Sequence, residues 1–470
     1  MTPAQANHAG GAGGGVTGCR RPTPAALVRS WPYWPVVSHP ALRRILPAIA
    51  VSSLGDGMGM VAVAWLALRL VPGPSQGLWV SAAVAAYSLP GAVGALVLSR
   101  LLAHRGGARL AGWNAALRAT ALGAIPVASA FGWLTPGGYV AALAVSSLLG
   151  VWGSAGKIIL VAETLPDEHR LAGNALFSML GTTGFVVGPA LAGLLVAVSG
   201  PALVIGIDAL TFAVLAACYL VALPRAVRAR APTEPARTGP ARTGPAAVGA
   251  IAGSGGGRAQ PRRPAGFRII AANPQLLGLT VVTFAFFLLY GPVEVALPIH
   301  VHHDLRGSAA VLGGFWTAFA TGEVIGGLAA AHLSRWRLWP VVTGIIVGWG
   351  ACLLPTGASG SLGFALVGFG VGGLIYAPFP ATYATLFQRL SPPANLTPVL
   401  AAQGAIILLA PSLGELLGGP LVTAVGARRT LLLSAAVTLV LGATTGVVTS
   451  VSGGRRVRRA ARPAPPDPHP

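Results

Sequence analysis

The sequence predicts an all-α membrane protein of twelve transmembrane helices arranged as two six-helix pseudo-repeats. Three observations predict it. Of 470 residues, 54% are hydrophobic and only 9% are charged, against roughly one-quarter charged in a soluble domain. Apolar runs long enough to cross a bilayer as helices recur along nearly the whole chain. They fall into two blocks of similar length, separated by a stretch (224–268) of Pro, Gly, Ala and Arg with Glu234 as its single acid and a near-repeat PARTGPARTGP. That composition cannot bury enough apolar surface to fold, so it reads as a basic, disordered cytoplasmic linker. A barrel is excluded because the runs are continuously apolar and about twice the length of a membrane strand.

A Gly-, Ala- and Pro-rich N-terminus (1–40) reads as disordered and cytoplasmic, without a cleavable signal peptide. The first half, 41–223, opens on Arg43 and Arg44, and its spans lie at about 45–69, 77–98, 110–132, 139–162, 174–199 and 202–223. Pro72 and Pro74 turn the chain after the first span, Pro136, Gly137 and Gly138 close the third, and Gly200 and Pro201 form a hairpin fit only for antiparallel helices. The second half, 269–450, repeats the plan at about 275–299, 309–332, 339–356, 362–387, 399–424 and 430–450. A basic tail (451–470) reads as disordered. A shift of 226 residues places Pro166 on Pro392, Gly188 on Gly414, Gly193 on Gly419 and Gly200 on Gly426. A duplicated six-helix unit is the plan of a secondary transporter, with substrate held near the midplane where the halves meet.

A net charge of +21 would suit nucleic acid in a soluble protein. Placed on these spans, four basic residues (Arg69, Arg306, Arg428, Arg429) fall outside, two (Arg118, Lys157) fall within spans, and all the rest fall inside. That is the bias of a multi-pass protein with both termini in the cytoplasm. No nucleic-acid partner is needed, and the pair Arg428 and Arg429 is the one local objection to this topology. Cys19, Cys218 and Cys352 show neither metal spacing nor a disulfide pattern.

Among only 11 acids, Asp56, Asp208, Glu294, Glu323 and Glu415 fall within spans. Each costs roughly 2.5–3.5 kcal/mol near a helix centre, so each should face a cavity or a partner. A carboxyl held there binds a proton readily, as a proton carrier must. Asp56 lies roughly 18 Å along the first helix, close to the midplane; it is either a coupling residue or a carboxylate locked to Arg118. Glu323 and Glu415 sit mid-span, where each either carries a proton or meets a cationic substrate, or simply bonds a neighbouring helix. Glu294, about five residues from the outer end of its predicted span, either snorkels to water or takes part. Asp208 reads as shallow and structural, and Arg118 and Lys157 as partners for the buried acids.

Gly184, Gly188 and Gly193, Gly414 and Gly418, and Gly322 and Gly326 show small-xxx-small spacing for close helix packing. His300, His302, His303 and Asp304 read as a solvated outer loop rather than a zinc site, since one short loop offers no closed four-ligand geometry. Tyr87, Tyr290, Trp316, Tyr376 and Phe379 either line the pathway or anchor the interface. GSAGK (153–157) mimics a phosphate loop, but Ile158 stands where Ser or Thr is needed and the stretch lies in a span, so neither an ATP-driven pump nor an enzyme is indicated.

SSLGDG (52–57), LPDEHRLAGNAL and VGPALAGLL (165–195), IDALTF (207–212), GPVEVALP (291–298) and QRLSPP (388–393), in that order and spacing, resemble the major facilitator superfamily. The likeness covers about residues 38–450 and points to the drug-exporter branch that includes macrolide-efflux and siderophore-export proteins. It implies a rocker-switch fold and proton antiport, with Gly184, Gly188, Pro189 and Gly193 resembling the antiporter motif of the fifth helix. The loop after the second helix departs from the family, having Ala103 in place of an acid that helps latch the cytoplasmic gate. Arg100, Arg105 and Arg109 then either meet Glu163, Asp167 and Glu168 in that gate or serve topology alone.

The sequence therefore predicts a plasma-membrane transporter, acting as a monomer without cofactor or metal, that exports a small hydrophobic or amphipathic compound against protons through Asp56, Glu294, Glu323, Glu415 and Arg118. An uptake carrier and a sensor or scaffold derived from a transporter fit the same features.

Overall fold

A computed structural model describes residues 31–102, 105–223, 264–330, 332 and 336–460. Within them twelve long helices follow one another: α1 (Leu42–Leu70), α2 (Gln76–Val97), α3 (Gly107–Ala130), α4 (Pro136–Thr164), α5 (Asp167–Ser199), α6 (Pro201–Ala222), α7 (Pro274–His303), α8 (Ala309–Ala329), α9 (Leu338–Ala358), α10 (Leu362–Leu390), α11 (Leu396–Val425) and α12 (Ala427–Ala460). Eleven of them are long and apolar enough to cross a membrane. The exception, α3, has the length but carries Arg109, Asn114 and Arg118. The twelve-helix fold class stands.

Several sequence-based boundaries move. Trp34–Ser38 forms a short helix with Val36 fully buried, so the N-terminal segment is ordered before residue 40. Pro264–Ala272 is helical, so helix begins inside the stretch read as disordered linker. The α12 helix runs to Ala460, past the expected end at 450. Residues 1–30, 224–263 and 461–470 lie outside the described residues.

The packing repeats between halves. Helix α1 packs on α5 and α6, α3 on α6 and α2 on α4; in the second half α7 packs on α11 and α12, α9 on α12 and α8 on α10. Glycines set the first of these contacts in both halves. A Cβ on Gly188 would lie 2.6 Å from the Gly57 Cα, and one on Gly414 would lie 3.1 Å from the Gly291 Cα. Helices α5 and α11 also end alike, on Gly200 (φ 80°, ψ 159°) and Gly426 (φ 86°, ψ 159°), a positive-φ conformation that favours glycine. Residues 226 apart in sequence thus occupy matching places.

Two further repeated glycines join the halves to each other. A Cβ on Gly193 of α5 would lie 2.5 Å from the Ala310 Cα on α8, and one on Gly419 of α11 would lie 2.6 Å from the Ser81 Cβ on α2. Both contacts lie near the end of the bundle remote from the start of α1 and the end of α12, here called the distal end. The halves meet there, and His303 at the end of α7 hydrogen-bonds Gln76 at the start of α2 at 2.6 Å.

Helices α4 and α10, pseudo-equivalent members of the two halves, are each broken mid-way, at Leu148–Leu149 and at Ala377–Pro378. In α10, Pro378 cannot continue the hydrogen-bond ladder. In α4 the break lies where the α2 backbone comes close: Ser147 donates to the Ala86 carbonyl at 2.9 Å, and Gly91 and Gly94 admit the Ser147 and Leu148 carbonyls.

Of the doubtful pair Arg428 and Arg429, the first has a local explanation. Arg428 donates to the Gly357 carbonyl at 3.0 Å and to the Ala358 carbonyl, capping the C-terminus of α9 where a cation is favoured. Arg44 does the same for α6 through the Ala222 carbonyl at 3.1 Å. These arginines are occupied by helix ends.

Candidate functional site

Two clusters of ionisable side chains lie within the bundle, one in each half. In the first, Gly55, Asp56 and Gly57 occupy the middle of α1. Gly57 faces α5, while Gly55 leaves room for Asp208 of α6, whose carboxylate a Cβ at residue 55 would strike. Asp56 Oδ1 receives Arg118 Nη2 of α3 at 2.8 Å. The guanidinium stacks over Phe212 at 4.3 Å and Tyr87 at 5.0 Å, and donates to the Tyr87 hydroxyl. Removing an Arg from water requires such partners. Arg118 Nε nonetheless remains buried without a hydrogen bond. Asp208 is 1% exposed and belongs to this cluster, so the reading of a shallow acid near the surface is corrected. Close helix packing at Gly55, invisible as a distance in sequence, draws it in. Lys157 feels the charges of Asp56 and Arg118 but forms no ion pair among the described residues.

The second cluster has no cation among the described residues. Gly291 and Pro292 of α7 lie against Gly414 and Gly418 of α11, and this close approach lets Glu294 and Glu415 hydrogen-bond each other. Two carboxylates are both acceptors, so that bond requires a proton held between them. Tyr290 lies close enough to Glu294 to act on it electrostatically, and Ser88 of α2 donates to Glu415 Oε2 at 2.6 Å. Ser88 lies 3.0 Å from Ser412. Glu415 is 3% exposed. Because α7 continues to His303, Glu294 lies deeper than the five residues expected from the helix end, and it is engaged rather than snorkelling.

A cavity of about 110 Å³ lies between the clusters, lined among others by Gly59, Tyr87, Glu294, Trp316 and Glu415. Consecutive residues of a helix point about 100° apart. On α2 this sends Tyr87 to Arg118 and Ser88 to Glu415, so two neighbouring residues contact both clusters. Of the aromatic residues read from sequence, Tyr87 and Trp316 line the cavity. Tyr290 and Tyr376 stack at 6.0 Å beside it, whereas Phe379 is buried in the core against Phe286. Glu323 of α8 stands apart, half-buried and close enough to Tyr290 and Tyr376 to act on them electrostatically.

The charges expected in the gate lie at the terminal end of the bundle. Asp167 bonds Arg170 of its own helix at 2.5 Å, and Glu168 meets His169 at 3.6 Å. Both Glu163 oxygens accept from the Gly107 N–H, at 3.3 and 3.2 Å, at the positive start of α3. Arg105 lies 5.7 Å from the Trp113 ring centre. The side chain of Arg100, and Ala103 itself, lie outside the described residues.

The histidines do not form a loop. His300, His302 and His303 occupy the last turn of α7, with Asp304 capping it. His300 is 1% exposed, bonded to Asp304 at 2.7 Å and to the Thr356 carbonyl at 3.1 Å. His302 meets the edge of Trp65, and no metal-binding group of these residue types occurs among the described residues. The apolar run before them ends at Ile299, which hid the extra turn from a reading by hydropathy. GSAGK lies on the helical part Gly150–Thr164 of α4 and forms no phosphate loop.

The sequence matches the Major Facilitator Superfamily over residues 45–408. The chain belongs to that superfamily. The multidrug efflux pump Tap of Mycolicibacterium fortuitum is 26% identical over 407 residues, covering 85% of this chain and 93% of Tap. An uncharacterized MFS-type transporter of Sinorhizobium fredii is 24% identical over 403 residues, covering 84% and 92%. Among solved structures, the nucleoside transporter NupG aligns with a TM-score of 0.63 at 15% identity, over 87% of this chain and 98% of NupG. An auto-inhibited POT family peptide transporter aligns with a TM-score of 0.62 at 12% identity, over 92% and 99%. These structures share the fold. The protein is thus a multi-pass membrane transporter and not an enzyme.

Proposed function

We propose that this major facilitator protein exports small hydrophobic or amphipathic compounds in exchange for protons. The observation that carries the reading is the hydrogen-bonded carboxyl pair Glu294–Glu415 at the inner edge of the seam between halves. It holds a proton where substrate can reach the same cavity. Asp56, pinned by Arg118, and the isolated Glu323 are the supporting members of the coupling set. The efflux role of Tap, similar along most of its length, supports export as the direction.

On this reading the protein sits in the plasma membrane with both termini cytoplasmic, and the structure corresponds to the state closed outside. Residues 41–223 and 269–450 rock as two units within a single chain, joined by 224–268. The fifth helix is the joint: Gly184 and Gly188 hold it on α1, while Pro189 and Gly193 seat it on α8. When the inside closes, Arg100, Arg105 and Arg109 draw towards Glu163, Asp167 and Glu168.

The test is efflux of ethidium and a panel of hydrophobic antibiotics from cells producing the protein, with and without an uncoupler. Expulsion of some compound that the uncoupler abolishes is the expected result. Accumulation of a panel compound driven by the protein would instead make it an uptake carrier. A panel left untouched by a correctly inserted protein would favour the sensor reading.

A further inference from the structure

Resting on the proposal that Glu294 and Glu415 hold the coupled proton, we infer that Ser88 is the positioning residue that links release of this proton to closure of the distal seam. A serine hydroxyl has one proton to give. Ser88 Oγ lies 2.6 Å from Glu415 Oε2, 3.0 Å from Ser412 Oγ and 3.4 Å from the Ala85 carbonyl of its own helix. Given to Glu415, the closest acceptor, that proton leaves Ser412 to donate to Ser88. The chain of donors therefore runs one way, from Ser412 through Ser88 to Glu415. Tyr290 stands beside Glu294 at the other end. Donors aimed at a carboxyl pair favour its ionised form and so help its proton leave.

Ser88 differs from the other donors in its origin. Tyr290 is on α7 and Ser412 on α11, the helices that carry the acids, whereas Ser88 is on α2 of the opposite half. It reaches Glu415 because α2 is held on α11 by a close contact, in which Ser81 donates to the Glu415 carbonyl at 2.7 Å and Gly77 lies against Gly419. Parting the seam withdraws Ser88 and leaves the acids with donors from their own half. The pair then takes up a proton when the outside is open and yields it when the outside is shut, the order that inward proton flow requires. The other titratable groups around this bond are Glu294 and Tyr290 on α7, Tyr87 on α2, Glu323 on α8 and Tyr376 on α10.

The test needs no substrate. Purified full-length protein in lipid nanodiscs is titrated by infrared difference spectroscopy, reading the band of protonated carboxyl groups, with Glu294→Gln and Glu415→Gln assigning the component from the pair. Ser88→Ala should move the midpoint of that component to higher pH by about one unit, the effect of losing a hydrogen bond to a charged group. Ser88→Thr, which keeps the hydroxyl, should stay near wild type, and Ser88→Cys, a weaker donor, should fall between. A midpoint unchanged in Ser88→Ala and Ser88→Cys, with thermal unfolding lowered, would make Ser88 a structural contact and overturn the inference. If neither glutamine variant removes a titrating component, the pair is not the proton site and the underlying reading fails on its own account. Should Ser88→Ala not fold, the comparison of cysteine with threonine decides.

Discussion

The two halves bury charge in opposite ways. In the first, an acid on α1 meets an arginine on α3, and the same guanidinium is wrapped by two aromatic rings. In the second, two acids on α7 and α11 meet each other with hydroxyl donors around them and no cation in the hydrogen-bond network. Yet both clusters rest on the same repeated frame, α1 against α5 and α7 against α11, drawn close by glycines at matching positions. The difference teaches that duplication fixed the scaffold while the chemistry diverged. In an ion pair each charge is offset by its partner, whereas two facing carboxylates offset their repulsion by sharing a proton.

Breaking the ion pair should give the largest effect on stability. Arg118→Met leaves Asp56 and Asp208 without their cation and is expected to lower unfolding free energy by about 2 kcal/mol, less than for a fully buried pair because the Asp56 side chain is 40% exposed, seen as a lower thermal midpoint of the protein in detergent. Glu415→Gln, which keeps the shape and a hydrogen-bonding group, should leave that midpoint nearly unchanged. Equal losses in the two variants would erase the distinction between halves.

The glycines sharpen the comparison next. Gly188→Leu separates α1 from α5 within one half and should reduce the yield of folded protein. Gly419→Leu acts only between halves, so the protein should fold, while a cysteine replacing the buried Val422, which lies against Gly77, becomes several-fold more reactive towards a membrane-impermeant maleimide added outside. His303→Ala, which removes one bond across the same seam, should raise that reactivity far less, since a single hydrogen bond contributes about 1 kcal/mol. A large effect of His303→Ala would shift the weight of the seam from helix packing to its polar latch.

The helix count, the split into halves and the 226-residue repeat were legible because hydropathy and glycine spacing are properties of the chain itself. The individual acids were legible for the same reason, since a carboxylate in an apolar run stands out. Their partners were not. Asp208 sits 152 residues beyond Asp56 yet in the same cluster, and Glu294 and Glu415 are joined only by the α7–α11 contact. Ser88 escaped notice because a serine is inexpensive in a helix and carries no signal until an acid from the other half lies beside it. The histidine turn was misread because α7 extends beyond its apolar run, with His300 bonded to Asp304 and the Thr356 carbonyl and His303 to Gln76.

The central claim is that the acid pair of the second half, and not the ion pair of the first, carries the coupled proton. It is tested most directly by proton movement in proteoliposomes containing a pH-sensitive dye, started by adding a substrate found in the efflux panel. Glu415→Gln and Glu294→Gln should each abolish substrate-driven proton movement, while Asp56→Asn, in protein that remains folded, should retain a measurable part of it. Loss in Asp56→Asn together with full movement in both glutamine variants would contradict the account and move the proton to the first half.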